Sequence, residues 1–350
     1  MRQQQTAPGS SSLVFHELKI AARWACNALY EHCAVDARPG REVLDRNLVL
    51  SCIDDAAALG MESVEFTGGE PLLCPEDVLA FTSQAHACGL AVRLDTNAFW
   101  AWTPDLARRR LAELRQRGLS SVTLSTDCLH QVFIPLARVV NALEACDELG
   151  IPVAVTVCYL ENDPSLPETV AVLHRHTAHI HLQAVAPYGR AAGLVHERLA
   201  RCPLSRAATP CRGAAPTIAP DGRVTLCCAP PMYLPVDIAR ISPLVLGWLD
   251  REPLSQIVRR AQEDPFVQLL VNQGLGAVLA RLEKLRPGLF QPRAEGYFGA
   301  CDLCVQVLGS EEILSQLVQL LPSQARSRAQ PGNSSSRAKR VLGGSRSASK

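Results

Sequence analysis

The chain has 350 residues and a mass of 37.9 kDa; 47% of its residues are hydrophobic and 20% charged, a globular and not a disordered composition. Thirty-five Lys/Arg against 34 Asp/Glu leave +1, so no overall field marks the surface for nucleic acid or membrane. No stretch of 18 apolar residues and no apolar signal region near the start are present, which excludes a spanning helix and points to a cytoplasmic protein.

Residues 1–12 read as a flexible N-terminus, and too few residues precede the first strand for a leader-binding module. From Leu13 to about Ala191, β-branched runs alternate with amphipathic stretches. Strands are expected at Leu13–Ala22, Ser63–Thr67, Ala91–Asp95, Ser121–Ser125, Val153–Cys158 and His179–Ala184. Between them, Glu42–Leu59 and Pro75–Cys88 carry helical patterns ending at glycine. Thr103-Pro104 marks a helix start, and Leu136, Val139, Val140, Leu143 and Cys146 form one helical face before Gly150. Six strand-then-helix units predict parallel strands with right-handed crossovers. Six units are short of a closed eight-fold barrel, which leaves an open partial barrel or a doubly wound sheet. In either, the chemistry belongs on loops at the C-terminal strand ends.

After Ala191 the texture changes, and residues 196–322 read as a second, smaller, cysteine-rich domain. Ala219-Pro220-Asp221-Gly222 predicts a hairpin turn, followed by helices at about 253–271 and 275–284, the pair Cys301 and Cys304, and a last helix near Glu311–Leu321. Residues 323–350 hold seven Lys/Arg and no acid and read as a disordered basic tail.

Fourteen cysteines in a reducing compartment need metal, redox chemistry or burial to explain them. Two clusters stand out. Cys26-Asn-Ala-Leu-Tyr30-Glu-His32-Cys33 follows the first strand, and Gly68-Gly69-Glu70-Pro71 closes the second. A Gly-Gly turn lets a ligand approach the backbone, and Glu70 is a candidate acceptor for a ligand ammonium; a tight βα turn explains the same residues structurally. No Lys-Ser/Thr follows, so the turn is not a phosphate loop.

Together these clusters resemble the radical S-adenosylmethionine superfamily, in which a C-x3-C-x2-C loop on a partial (βα)6 barrel holds a [4Fe–4S] cluster. GGEP there contacts the methionine amino group of the cofactor. The likeness covers residues 13–191 of a barrel domain read as 13–195 and extends to Thr96 and Asn97 after strand three, Ser125 and Asp127 after strand four, and Gln183 to Arg190 after strand six. It implies S-adenosyl-L-methionine bound by Gly68, Gly69, Glu70, Pro71, Thr96, Asn97, Ser125, Asp127 and His32, with Cys26 and Cys33 as cluster ligands. The middle position of the loop is Tyr30 and not cysteine. Three readings follow: Cys74 or Cys128 completes the cluster, Tyr30 ligates directly, or the cluster is incomplete and the radical step lost.

Cys211, ten residues, Gly222, four residues and Cys227, followed by Cys301 and Cys304, is similar to the auxiliary-cluster extensions called twitch and SPASM domains. Four thiolates in two pairs suit zinc or an auxiliary [4Fe–4S] cluster, and the preceding barrel motif favours the cluster. His130 is a weaker candidate for substrate contact or proton relay, with helix entry as its structural alternative. The resemblance implies an iron–sulfur enzyme that generates a 5′-deoxyadenosyl radical to modify a peptide or protein substrate, fed by a low-potential electron donor. A small-molecule dehydrogenase and a non-catalytic cluster-binding partner are the alternatives.

Overall fold

The computed structural model describes residues 13–211, 213–228 and 242–320; the N-terminus 1–12 and the basic tail 323–350 lie outside the described residues. Among the described residues, nine strands form one sheet. Six are parallel and in chain order: β1 (Glu17–Ala21), β2 (Ser63–Thr67), β3 (Ala91–Thr96), β4 (Leu119–Ser125), β5 (Val153–Tyr159) and β6 (Ile180–Ala184). Alternation decides which way each strand faces. Leu18, Ile20, Val64, Phe66, Val92, Leu94, Val122, Leu124, Val155 and Val157 are all buried on one face. The intervening residues line a single cavity to which all six strands contribute. Of the two arrangements left open above, this is the curled, barrel-like one.

The crossover helices start and stop where their end residues direct. Helix α1 (Arg46–Ala58) is capped by the Asp45 carboxylate, which accepts from the amides of Asn47 and Leu48. Pro75 opens α2 (Pro75–Ala87). The Thr103 hydroxyl caps α3 (Pro104–Gln116), with proline at its first position. The short α4 (Cys128–Gln131) is capped by Asp127, α5 (Leu136–Leu149) stops at Gly150, and α6 is Leu166–Leu173.

The C-terminal region extends the same sheet. After α7 (Leu204–Ala207), β7 (Ala214–Ile218) pairs parallel to β1, with Lys19 opposite Thr217 and Ile20 opposite Ile218. The Pro-Asp-Gly turn then leads into β8 (Arg223–Cys227), antiparallel to β7, and β9 (Val245–Trp248) follows at the sheet edge. Helices α8 (Leu254–Glu263) and α9 (Pro265–Leu285) divide at Pro265, earlier than the pattern suggested. The expected break near residue 274 is present as non-helical backbone at Gly274 inside α9. Cys301 and Cys304 lie in the first turns of α10 (Ala300–Leu308), and α11 spans Glu311–Leu320.

Candidate functional site

The loop after β1 and the turn after β2 are built onto each other. The Gly69 amide donates to the Arg23 carbonyl at 2.8 Å and the Glu70 amide to the Ala25 carbonyl at 2.9 Å. A Cβ on Gly69 would stand 2.1 Å from the Ala25 oxygen, so only glycine permits this docking. Cys26 follows directly and packs with Tyr30, Cys33 and Ile134 in one small apolar cluster. The sequence therefore brings Cys26, Tyr30, Cys33 and the Gly68–Glu70 turn to one place.

Glu70 is fully buried and acts as the anchor of this mouth. Its Oε1 accepts from the Leu72 amide at 3.0 Å and the Thr96 hydroxyl at 2.9 Å, and its Oε2 accepts from the Asn97 amide at 2.9 Å. Burial pushes its pKa up to about 7, against the pull of those donors and of Arg23. Asn97 Nδ2 in turn donates to Asn27 Oδ1 at 3.0 Å, tying the end of β3 to the cysteine loop. Pro71 opens the short 3-10 turn that Glu70 caps. Ser125 ends β4 without joining this network.

Tyr30 stands where the motif has a thiol. It is buried, with its ring 4.1 Å from that of His130 and edge-on to Phe133 at 5.5 Å. Burial, with Cys26 and Glu70 adding to it, raises the phenol pKa and holds it protonated. Burial also lifts the Cys26 thiol to about 11. The candidates to replace the missing thiol have partners of their own. Cys74 Sγ accepts from Arg23 Nη1 at 2.8 Å, and the Cys128 thiol bonds to Asp163.

The motif after β6 clamps the cysteine loop from the other side. Gly189, at φ 55°, brings its backbone so close that a Cβ would meet the Ala34 oxygen at 2.3 Å. Arg190 donates from Nη1 to the Tyr30 carbonyl at 2.7 Å and from Nη2 to the Ala37 carbonyl at 2.6 Å, with Asp36 at 3.1 Å. Arg190→Ala removes three charge-assisted contacts and is expected to cost about 3 kcal/mol. Denaturant unfolding checks the cost, and limited proteolysis should show new cleavage between residues 23 and 38.

Below the mouth, the strands line a cavity of about 290 Å³ whose walls include Lys19, Glu65, Arg93, Asp95, Thr123, Thr156, His181 and Cys228. Lys19 Nζ donates to Glu65 at 2.7 Å, and Arg93 pairs with Glu17 at 2.8 Å and Glu65 at 3.4 Å. Burial opposes the Lys19 charge, but Glu65 and its neighbours win and raise its pKa. Burial and then Glu65 push the Asp95 pKa up. Lys19, Arg93, Thr123 and Thr156 belong to no motif that singles them out in the sequence. The available signal was a charged or hydroxyl side chain at every second position of strands whose other positions are apolar.

The second cysteine set also converges. Cys211, Cys227 and Cys304 line one apolar pocket with Leu226, Leu244, Leu270 and Leu275. Cys301 is close enough for Cys211 to act on it electrostatically. Burial pushes the Cys301 thiol up to about 12 and raises that of Cys304 further. Metal binding there would have to expel the thiol protons.

No family model matches the chain. It is 33% identical over 113 residues to a GTP 3′,8-cyclase of Synechococcus sp. (strain CC9902), covering 31% of each chain. It is 30% identical over 178 residues to a GTP 3′,8-cyclase of Streptomyces coelicolor, covering 44% of this chain and 48% of the relative. The chain thus spans less than half the length of the curated relatives it matches. A solved structure described as native anSMEcpe with bound AdoMet and Cp18Cys peptide matches at 13% identity and TM-score 0.51, covering 89% of this chain and 99% of that one. That likeness is one of fold.

Proposed function

We infer that this chain, a member of the radical S-adenosylmethionine superfamily, is an iron–sulfur enzyme that binds S-adenosyl-L-methionine at the barrel mouth and modifies a peptide substrate. The observation that carries this is the docking of the cysteine loop onto the Gly-Gly-Glu turn directly above a polar cavity. In the superfamily, a reduced [4Fe–4S] cluster supplies one electron to the sulfonium of the cofactor and so produces a 5′-deoxyadenosyl radical. Cys26, Tyr30 and Cys33 would hold that cluster, and they offer two thiols and a neutral phenol, one thiolate short of the motif. Its remaining groups have definable tasks. The Gly68–Pro71 turn, Thr96 and Asn97 form a rigid ledge for the methionine end of the cofactor. The paired charges of Lys19, Glu65 and Arg93 hold a polar substrate in the cavity without a large net field.

The auxiliary pocket fits a cluster better than zinc. Tetrahedral zinc with bonds of about 2.3 Å places its sulfurs about 3.8 Å apart. The group of three or more His, Cys, Asp or Glu donors within 4.8 Å among the described residues is His32, Asp127 and His130, with no cysteine in it. The wider spread of Cys211, Cys227, Cys301 and Cys304 around an apolar pocket supports an auxiliary [4Fe–4S] cluster.

A peptide substrate is favoured by the fold likeness to a peptide-bound structure. The name shared by the curated relatives keeps a small-molecule substrate in view. Tyr30 supports a second reading, a partner protein that binds clusters without turnover. Anaerobic reconstitution, iron and sulfide counts and 5′-deoxyadenosine assays with a reductant separate the two. The enzyme reading expects product from the wild type and more iron and product from Tyr30→Cys. Product from Tyr30→Cys alone would replace it with the partner reading.

A further inference from the structure

The inward-facing residues of the parallel strands stand in rows, and two rows of the cavity differ in charge. Lys19 on β1, Glu65 on β2 and Arg93 on β3 are in register with one another. Lys19 pairs with Glu17 and Glu65, and Arg93 pairs with the same two carboxylates, so the charges of this row cancel. Asp95 lies two residues further along β3, opposite Thr123 of β4. That is one inward step nearer the strand ends that carry the mouth. The neighbouring wall residues Ala21, Thr67, Thr123 and Ala154 are all uncharged.

Asp95 is therefore a carboxyl without a counter-charge. Both cations of the row below are committed to Glu17 and Glu65, and Asp95 makes no ion pair among the described residues. The Thr123 hydroxyl gives it a hydrogen bond but no charge. Burial, and then the Glu65 charge, disfavour its ionised form. Burial also raises the pKa of the Cys228 thiol, so that lining group adds no positive charge, and His181 lies at the exposed edge strand β6. A cation entering from the mouth would meet Asp95 before it reached the paired row. It would stabilise the carboxylate where a lone buried charge is costly, whereas an anion would add to the excess and an apolar group would leave it. An ammonium suits the space. Its compact head carries three donors, which the Asp95 carboxylate and the hydroxyls of Thr67 and Thr123 can accept.

We propose that Asp95 determines the specificity of this cavity and that the substrate presents an aliphatic ammonium group to it, as a lysine side chain does. The proposal rests on the reading of the cavity as the substrate site. The full-length protein is reconstituted anaerobically, supplied with S-adenosyl-L-methionine, and titrated by calorimetry with two probes. One is Nα-acetyl-lysine amide and the other its uncharged counterpart, Nα-acetyl-norleucine amide. Wild type should bind the lysine probe about tenfold more tightly, the size of one charge-assisted hydrogen bond. Asp95→Asn should bind the two probes equally and keep the wild-type affinity for S-adenosyl-L-methionine. Asp95→Ser, also neutral, takes its place should Asp95→Asn fail to fold. Equal binding of the probes to wild type, or none, overturns the proposal, as does a lysine preference that survives in the neutral variant. Loss of S-adenosyl-L-methionine binding in that variant alone overturns it too, since Asp95 would then serve the cofactor. A wild type that binds no S-adenosyl-L-methionine refutes the functional reading instead, and the two probes still decide the role of Asp95.

Discussion

Gly69→Ala should destabilise the protein by about 3 kcal/mol, at the upper end of what an added methyl group costs in a packed interior. The new carbon would lie 2.1 Å from the Ala25 carbonyl oxygen and 2.7 Å from its carbon. Both are backbone atoms, so no rotamer change relieves the clash, and the turn after β2 must lift off the cysteine loop. Lifting breaks the Gly69–Arg23 and Glu70–Ala25 hydrogen bonds and disturbs the acceptor network of Glu70. Equilibrium unfolding in denaturant reads the loss directly. Gly60→Ala is the control: its Cβ meets nothing within 4 Å, although its positive φ still adds a small backbone cost. Equal losses in the two variants would show that the docking contact carries no special weight.

Removing one thiol from the C-terminal pocket has a comparably large expected effect on metal content. With Cys304→Ala, the reconstituted protein should lose about four irons per chain together with their visible absorption, since one of the four thiolates proposed to hold that cluster is gone. The side chains that line the pocket beside Cys304 are mostly apolar. Cys304 sits in the first turns of α10 among Leu226, Leu270 and Leu275, and none of these can donate to iron. Because burial holds the Cys301 and Cys304 thiols protonated, loading should release protons and weaken as pH falls. Iron analysis and the pH dependence of loading check both statements. An unchanged iron count in Cys304→Ala would remove this pocket as a cluster site.

Much of the architecture was legible because local rules and tertiary demands agreed. Thr103-Pro104, Gly150 and the Pro-Asp-Gly turn mark the ends of elements through backbone chemistry that packing does not override. The convergence of Cys26 and Cys33 with the Gly68–Glu70 turn followed from their shared position at parallel strand ends. What stayed hidden depended on contacts distant in sequence. Arg190 reaches back 160 residues to the Tyr30 carbonyl, and no spacing rule predicts such a partner. Glu70 was read as a ligand acceptor, yet its carboxylate is occupied by three protein donors. His130 looked like a helix-entry residue and is one; only folding shows that it also faces His32 across Asp127.

The pairing of β7 with β1 links the chain's two halves through the backbone ladder. Lys19 and Ile20 belong to the strand that delivers the first cysteine loop, and their neighbours Thr217 and Ile218 belong to the hairpin that delivers Cys227. Cutting the polypeptide ahead of Ala214 would bare the flank of β1 and invite intermolecular strand addition. The two halves are therefore expected to fold as one unit, and an engineered variant of either needs the other beside it.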